Sequence, residues 1–169
     1  MQRRFRKLTM RAAFFCALVV TLSACDFVYG VRRYSKINDL PQLDCVDQVI
    51  RGTPGVASVE ERKEPTDRDY PPVDVYNFRY HGTEGSSVEG VVQFVTRRGA
   101  VEFEDTDLRL NAKPPQRQID ATRPVMRRIE TNLINQCGLI LASPIREKCS
   151  GVQCPALAGE SPTTIGRQR

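Results

Sequence analysis

The chain has 169 residues, enough for one domain of ordinary size. Its formal charge of +5 is concentrated at one end: five of the 25 Lys and Arg residues (Arg3, Arg4, Arg6, Lys7, Arg11) and none of the 20 acidic residues fall within positions 1–24, so the rest of the chain is neutral. That balance excludes the basic footprint of a nucleic-acid binder, and the lack of any run of about eighteen apolar residues excludes a bundle of membrane-spanning helices.

Residues 1–24 have the parts of a secretory signal. A basic stretch from Met1 to Arg11 precedes an apolar stretch from Ala12 to Val20, too short to cross a bilayer, and Thr21-Leu22-Ser23-Ala24 leads to Cys25. Leu22-Ser23-Ala24-Cys25 resembles the lipobox of bacterial lipoproteins. The resemblance implies that signal peptidase II cuts before Cys25, that the Cys25 thiol receives a diacylglycerol, and that the new amine is acylated. Several acyl chains on one residue hold a membrane far more firmly than a single chain, at about 0.8 kcal/mol per buried CH₂. The first partner expected is therefore a lipid bilayer, reached through acylated Cys25, with the domain facing the periplasm. Asp26 follows the cysteine directly. In the enteric lipoproteins that this segment resembles, an aspartate there keeps the protein from outer-membrane sorting, which implies retention on the inner membrane.

Residues 25–38 show no sustained period and read as the lipidated N-terminus and a tether. Within it, Phe27, Val28, Tyr29, Arg32 and Arg33 have the chemistry to enter a lipid interface, although an irregular spacer is the simpler reading. The globular domain is expected over 39–154, and residues 155–169, small, polar and rich in Pro and Gly, read as a disordered tail.

Taken in order, the domain begins with a helix near Asp39, capped by that carboxylate, with Pro41 in its first turn and Leu43, Val46, Val49 and Ile50 on one face. Gly52 ends it, and Thr53-Pro54-Gly55 turns the chain into a short strand over 56–61. The charge run from Glu60 to Asp69 reads as a solvated strand end and loop. Val73 to Tyr80 alternates, with Tyr76, Phe78 and Tyr80 on one face, and Ser87 to Arg97 places Val88, Val92 and Phe94 together. Arg98-Gly99 makes a hairpin into Val101-Glu102-Phe103-Glu104, after which the apolar phase moves from odd to even positions (Leu108, Leu110). That slip predicts a bulge near Asp105-Thr106-Asp107. A second helix is expected from Thr122 to Cys137, with Pro124 in its first turn, a stripe of Val125, Met126, Ile129 and Leu133, and Gly138 as terminator. Leu139 to Ala142 is a candidate last strand. The order gives an α+β two-layer sandwich of about four antiparallel strands with two helices on one face.

Four cysteines remain beyond Cys25 and the signal: Cys45, Cys137, Cys149 and Cys154. An even count in an oxidising compartment suggests two disulfides, for which three pairings exist. Cys45 lies at the start of the first helix and Cys137 at the end of the second, so antiparallel helices bring them together, and Cys149 and Cys154 enclose a four-residue turn. Cys45–Cys137 with Cys149–Cys154 is the favoured pairing. A zinc site at Cys149-x₄-Cys154 is the competing reading, but it lacks a second closely spaced pair of ligands, and no metal is expected.

Signs of catalysis are sparse. The single histidine, His81, sits in a Gly-rich turn near Glu84, Ser86, Ser87 and Glu89, and no nucleophile elbow, phosphate loop or paired-histidine helix is present. Glu102, Glu104, Asp105 and Asp107 have oxygen ligands suited to calcium, but a charge-protected strand edge is the simpler reading. Arg97-Arg98 and Arg127-Arg128 read as solvated faces. The expectation is a non-enzymatic envelope lipoprotein, without cofactor, that binds another envelope protein. A small-ligand or inhibitor-type module walled by Tyr76, Phe78 and Tyr80 is the alternative.

Overall fold

The computed structural model describes residues 27–66, 73–97 and 100–156. Residues 1–26 with Cys25 and Asp26, residues 67–72 with the end of the charge run, Arg98-Gly99 and residues 157–169 lie outside the described residues. Six strands form one antiparallel sheet: β1 (Val28–Ile37), β2 (Ser58–Thr66), β3 (Val73–His81), β4 (Glu89–Arg97), β5 (Ala100–Leu110) and β6 (Arg146–Ser150). Their order across the sheet is β2-β3-β4-β5-β1-β6. Two helices, α1 (Leu43–Gly52) and α2 (Gln116–Cys137), contribute Val46, Val49, Ile50, Val125, Ile129 and Leu133 to one core with the inward side chains of the sheet. The class is α+β as expected, with six described strands in place of about four.

The largest correction concerns the supposed tether. Residues 28–37 form an interior strand held on both sides: Val28 faces Leu110 and Ile37 faces Val101 in unbroken register, while Gly30 faces Ser150 and Tyr34 faces Arg146. The inward positions Val31, Arg33, Ser35 and Ile37 are all buried. Two of the four are polar, so the period of two is present but does not show as hydrophobicity. The domain therefore includes residues 28–37, ahead of the expected boundary at 39.

β5 is likewise regular. It pairs continuously with β1 and β4, without the expected bulge. Its inward positions are Val101, Phe103, Asp105 and Asp107, all buried, whereas Leu108 and Leu110 stay exposed. The apparent change of phase is the inner face becoming acidic.

Both helices start elsewhere than their polar residues suggest. α1 begins at Leu43 after Gln42, which makes no side-chain cap, and Val46 N–H donates to Gln42 O at 3.1 Å. Pro41 holds Leu40 out of the helical region, so Asp39 is too far upstream to cap. α2 begins at Gln116, six residues before Thr122, and carries Pro124 in its interior. Gln116 pins this first turn, its amide donating to Asp120 and to the Gln153 carbonyl. The buried stripe that starts at Ile119 outweighs the cost of the proline, about 3 kcal/mol. Gly138 closes α2 in the left-handed conformation at φ 65°.

The charge run after Glu60 remains strand as far as Thr66, making β2 a charged edge that ends on Pro65-Thr66. Leu139 to Ala142 is not the last strand, since it supplies one bridge from Leu141 to Ile37, and β6 pairs with β1 instead. The core between the layers is built on Phe78, Phe94 and Phe103, with ring centroids 6.4 and 5.7 Å apart, beneath Ile50, Ile129 and Leu133.

Candidate functional site

The register of the strands lines up inward residues across the sheet. One row runs Phe78, Val92, Asp105, Arg33, Glu147; next to it Tyr80 stands opposite Gly90, and Asp107, Val31 and Cys149 line up across β5, β1 and β6. The first row is apolar over β3 and β4 and charged over β5, β1 and β6, while in the second group Asp107 alone carries a charged side chain. α2 answers the charged part with Arg123 and Glu130, both buried and seven residues apart on the same helical face.

Arg33 is the hub. Its guanidinium grips Glu130 with two bonds, Nε to Oε1 at 2.5 Å and Nη2 to Oε2 at 2.9 Å, and reaches Glu147 Oε2 through Nη1 at 2.5 Å. Arg123 pairs with the other Glu147 oxygen and donates to Pro155 O at 2.9 Å. This network fastens β1, β6, α2 and the segment after β6 to one another. Burial works against charge on Arg33, but the hydrogen bonds and charges of Glu130 and Glu147 outweigh it and raise its pKa. Burial raises the Glu130 carboxyl against the pull of Arg33. For Glu147 burial also acts upward, but the two arginines win and hold it below the usual range.

Asp105 lies deeper and is fully enclosed. Burial, followed by the charge of Glu130, pushes its carboxyl well above the ordinary range, and Tyr80 donates to its Oδ1 at 3.0 Å. Among the described residues its Oδ2 has no hydrogen-bond partner, which suits a neutral acid better than a carboxylate. Asp107 sits at the rim. Its Oδ2 accepts from the Gln118 amide at 3.1 Å, Arg109 Nε stands 3.5 Å from its Oδ1, and burial raises it to about 6.

Beside Asp107 the sheet end opens into a cleft of about 370 Å³ walled by Arg79, His81, Glu89 and Arg109. Arg109 pairs with Glu89. His81 Nδ1 lies 4.0 Å from Glu89, beyond hydrogen-bonding reach, so the two do not form a proton relay. Asp107 thus stands beside groups of both signs at the cleft.

The residues singled out from the sequence scatter. Cys25 and Asp26 lie outside the described residues. Cys45 and Cys137 are joined at an S–S distance of 2.02 Å and Cys149 and Cys154 at 2.07 Å, as favoured. Glu147 and the second cysteine pair are close enough to share an ion, but with both sulfurs in a disulfide that group offers one carboxylate. The acidic cluster divides: Glu102 and Glu104 point to the outer face, where Glu104 pairs with Arg32, while Asp105 and Asp107 point inward. Nor is β5 an edge, since it lies between β4 and β1. The aromatic wall proposed for a ligand is core, with Phe78 and Tyr80 buried and Tyr76 packed against them. The Arg98 of one basic pair lies outside the described residues.

Sequence reasoning missed Arg33, Arg123, Glu130 and Glu147. The available signal was period two carried through Asp105 and Asp107, together with Arg123 and Glu130 on the stripe that includes Ile119 and Met126. Comparison with protein families, with curated proteins and with solved structures found no match to the chain.

Proposed function

We propose that the chain is a bacterial envelope lipoprotein, acylated at Cys25 and facing the periplasm, whose domain is a non-enzymatic module that binds another envelope protein. The observation that carries this reading is Leu22-Ser23-Ala24-Cys25 at the end of a basic-then-apolar leader. The two disulfides support it, because such bridges persist in oxidising compartments. The buried ionic network supports a binding role over a catalytic one, since its charges bind one another and fasten the elements together. Asp26 assigns the inner membrane in the same reading.

The test is labelling with a fatty-acid analogue, with the wild type beside Cys25→Ser. Label on the wild type and none on the variant is the expected result, and label persisting on Cys25→Ser overturns the reading. Gradient fractionation of the wild type beside Asp26→Ser addresses sorting: wild type travels with inner-membrane markers and the variant shifts outward.

A further inference from the structure

The described residues expose six large apolar side chains: Phe27, Val28, Leu108, Leu110, Ile134 and Ile140. Four of them occupy one end of the sheet. Val28 is paired with Leu110, and Leu108 stands opposite Gly30, two positions along on the same outward face. Phe27 sits at the same end, one residue before the strand. Its N–H donates to Asn111 Oδ1 at 2.9 Å, its carbonyl accepts from Asn111 N–H at 2.7 Å, and its ring lies 6.4 Å from that of Tyr29. The patch is therefore held by the strand pairing. Lys113 lies exposed three residues past Leu110, whereas Arg109 is taken up by Glu89 and Asp107.

Cys25 stands two residues before Phe27. Two residues of extended chain reach at most about 7 Å. Anything attached to Cys25 is thus confined to the neighbourhood of this patch, with no length of spacer to carry the domain away.

We propose that this end of the sheet, formed by Phe27, Val28, Leu108 and Leu110, rests in the lipid interface and fixes the orientation of the domain on the membrane. The inference rests on the acylation of Cys25. The lipid surface is the occupant because the anchor is tied within reach of the patch, and because its apolar side chains, with exposed Lys113 close by in sequence, match acyl chains beneath anionic head groups. Ile140 lies at the other end. Its carbonyl accepts from Asn38, just beyond Ile37, and the ten residues of β1 put about 30 Å between the two ends. In the proposed orientation Ile140 faces away from the bilayer.

The chain contains no tryptophan, so one introduced at either end is a unique reporter. Full-length Leu110→Trp and Ile140→Trp are expressed, extracted from membranes, checked by mass for acyl chains on residue 25, and returned to phosphatidylethanolamine–phosphatidylglycerol vesicles containing brominated lipid. Val28→Trp is the second variant at the proximal end, and disulfide content with circular dichroism confirms folding of each. Bromolipid is expected to quench position 110 or 28 several-fold more strongly than position 140, and iodide is expected to quench position 140 alone. Equal access of iodide to both ends of an acylated chain overturns the docked orientation and leaves the anchor standing. Shielding of position 110 in native membranes, with no bromolipid quenching in vesicles, also overturns it and assigns the patch to a protein partner. Absence of acyl chains on residue 25 removes the anchor and this inference with it.

Discussion

Tyr80 passes over Gly90 to donate its hydroxyl to Asp105, 3.0 Å away and two strands along. A Cβ built on Gly90 would collide with the Tyr80 hydroxyl and ring. The glycine is needed at this position because another residue's side chain occupies the space where its own would be. Gly90→Ala is expected to lower stability by about 1–3 kcal/mol through overpacking. Tyr80→Phe is expected to cost a similar amount, about 1–3 kcal/mol, by removing the donor from a buried acid. Urea unfolding that shows a lower midpoint at unchanged slope checks both.

Stability should depend on pH with an unusual sign. Burial raises Asp107 from 3.8 to about 6, so between those values the folded chain holds a proton that the unfolded chain has lost. Stability then falls as the pH rises across that window and stays lower above it. Asp105 and Glu130, also raised by burial, act in the same direction. Glu147 is held low and acts oppositely, losing its contribution only as the pH falls below the ordinary carboxylate range. Unfolding free energy is expected to be larger at pH 5 than at pH 7, by about 1 kcal/mol from Asp107. Asp107→Asn should flatten that part of the profile in urea titrations across the range.

Arg33 and Glu130 should be far more costly to lose singly than together. Arg33→Met leaves Glu130 buried without its cation, an expected loss of about 3–5 kcal/mol. In the double variant with Glu130→Met no charge is stranded, because Glu147 keeps Arg123. Recovery of most of the loss in the double variant, measured by guanidinium unfolding, is the expected outcome.

The two disulfides should differ in weight. Cys45–Cys137 joins residues 92 apart and Cys149–Cys154 residues 5 apart. On the chain-entropy relation the first contributes about 4–5 kcal/mol and the second about 2. Replacing each pair by alanines and comparing midpoints under oxidising conditions should rank them in that order.

What was legible in the sequence and what was not divides along one physical line. Elements that bury apolar side chains were readable: the stripe of α1, the alternation of β3 and β4, the hydrophobic half of α2, and through the helices the Cys45–Cys137 pairing. Elements that bury charge were not. Arg33 and Ser35 disguised β1 as a spacer, Asp105 and Asp107 made a regular β5 look bulged, and β6, with Arg146, Glu147 and Lys148, was passed over for the apolar Leu139 to Ala142. These misreadings have one origin, because an inward residue that is polar is silent to a hydrophobicity pattern until its partner on another element is known. Asp105 means little without Tyr80, and Arg33 means little without Glu130 and Glu147.

The position of β1 has a consequence for how the chain is made. β1 is synthesised before every other element described, and its neighbours are among the last: Leu110 must exist before Val28 has an opposite, and Ser150 before Gly30 is paired on its second side. The sheet cannot be closed progressively from its beginning. A nascent chain that stops short of Arg146 has its first strand open along one edge, Arg33 without Glu147, and Cys149 and Cys154 missing. Such long-range closure is slow, and an open strand in the meantime is a template for wrong pairing. Completion of β6 thus decides whether the first strand made is paired on both of its sides.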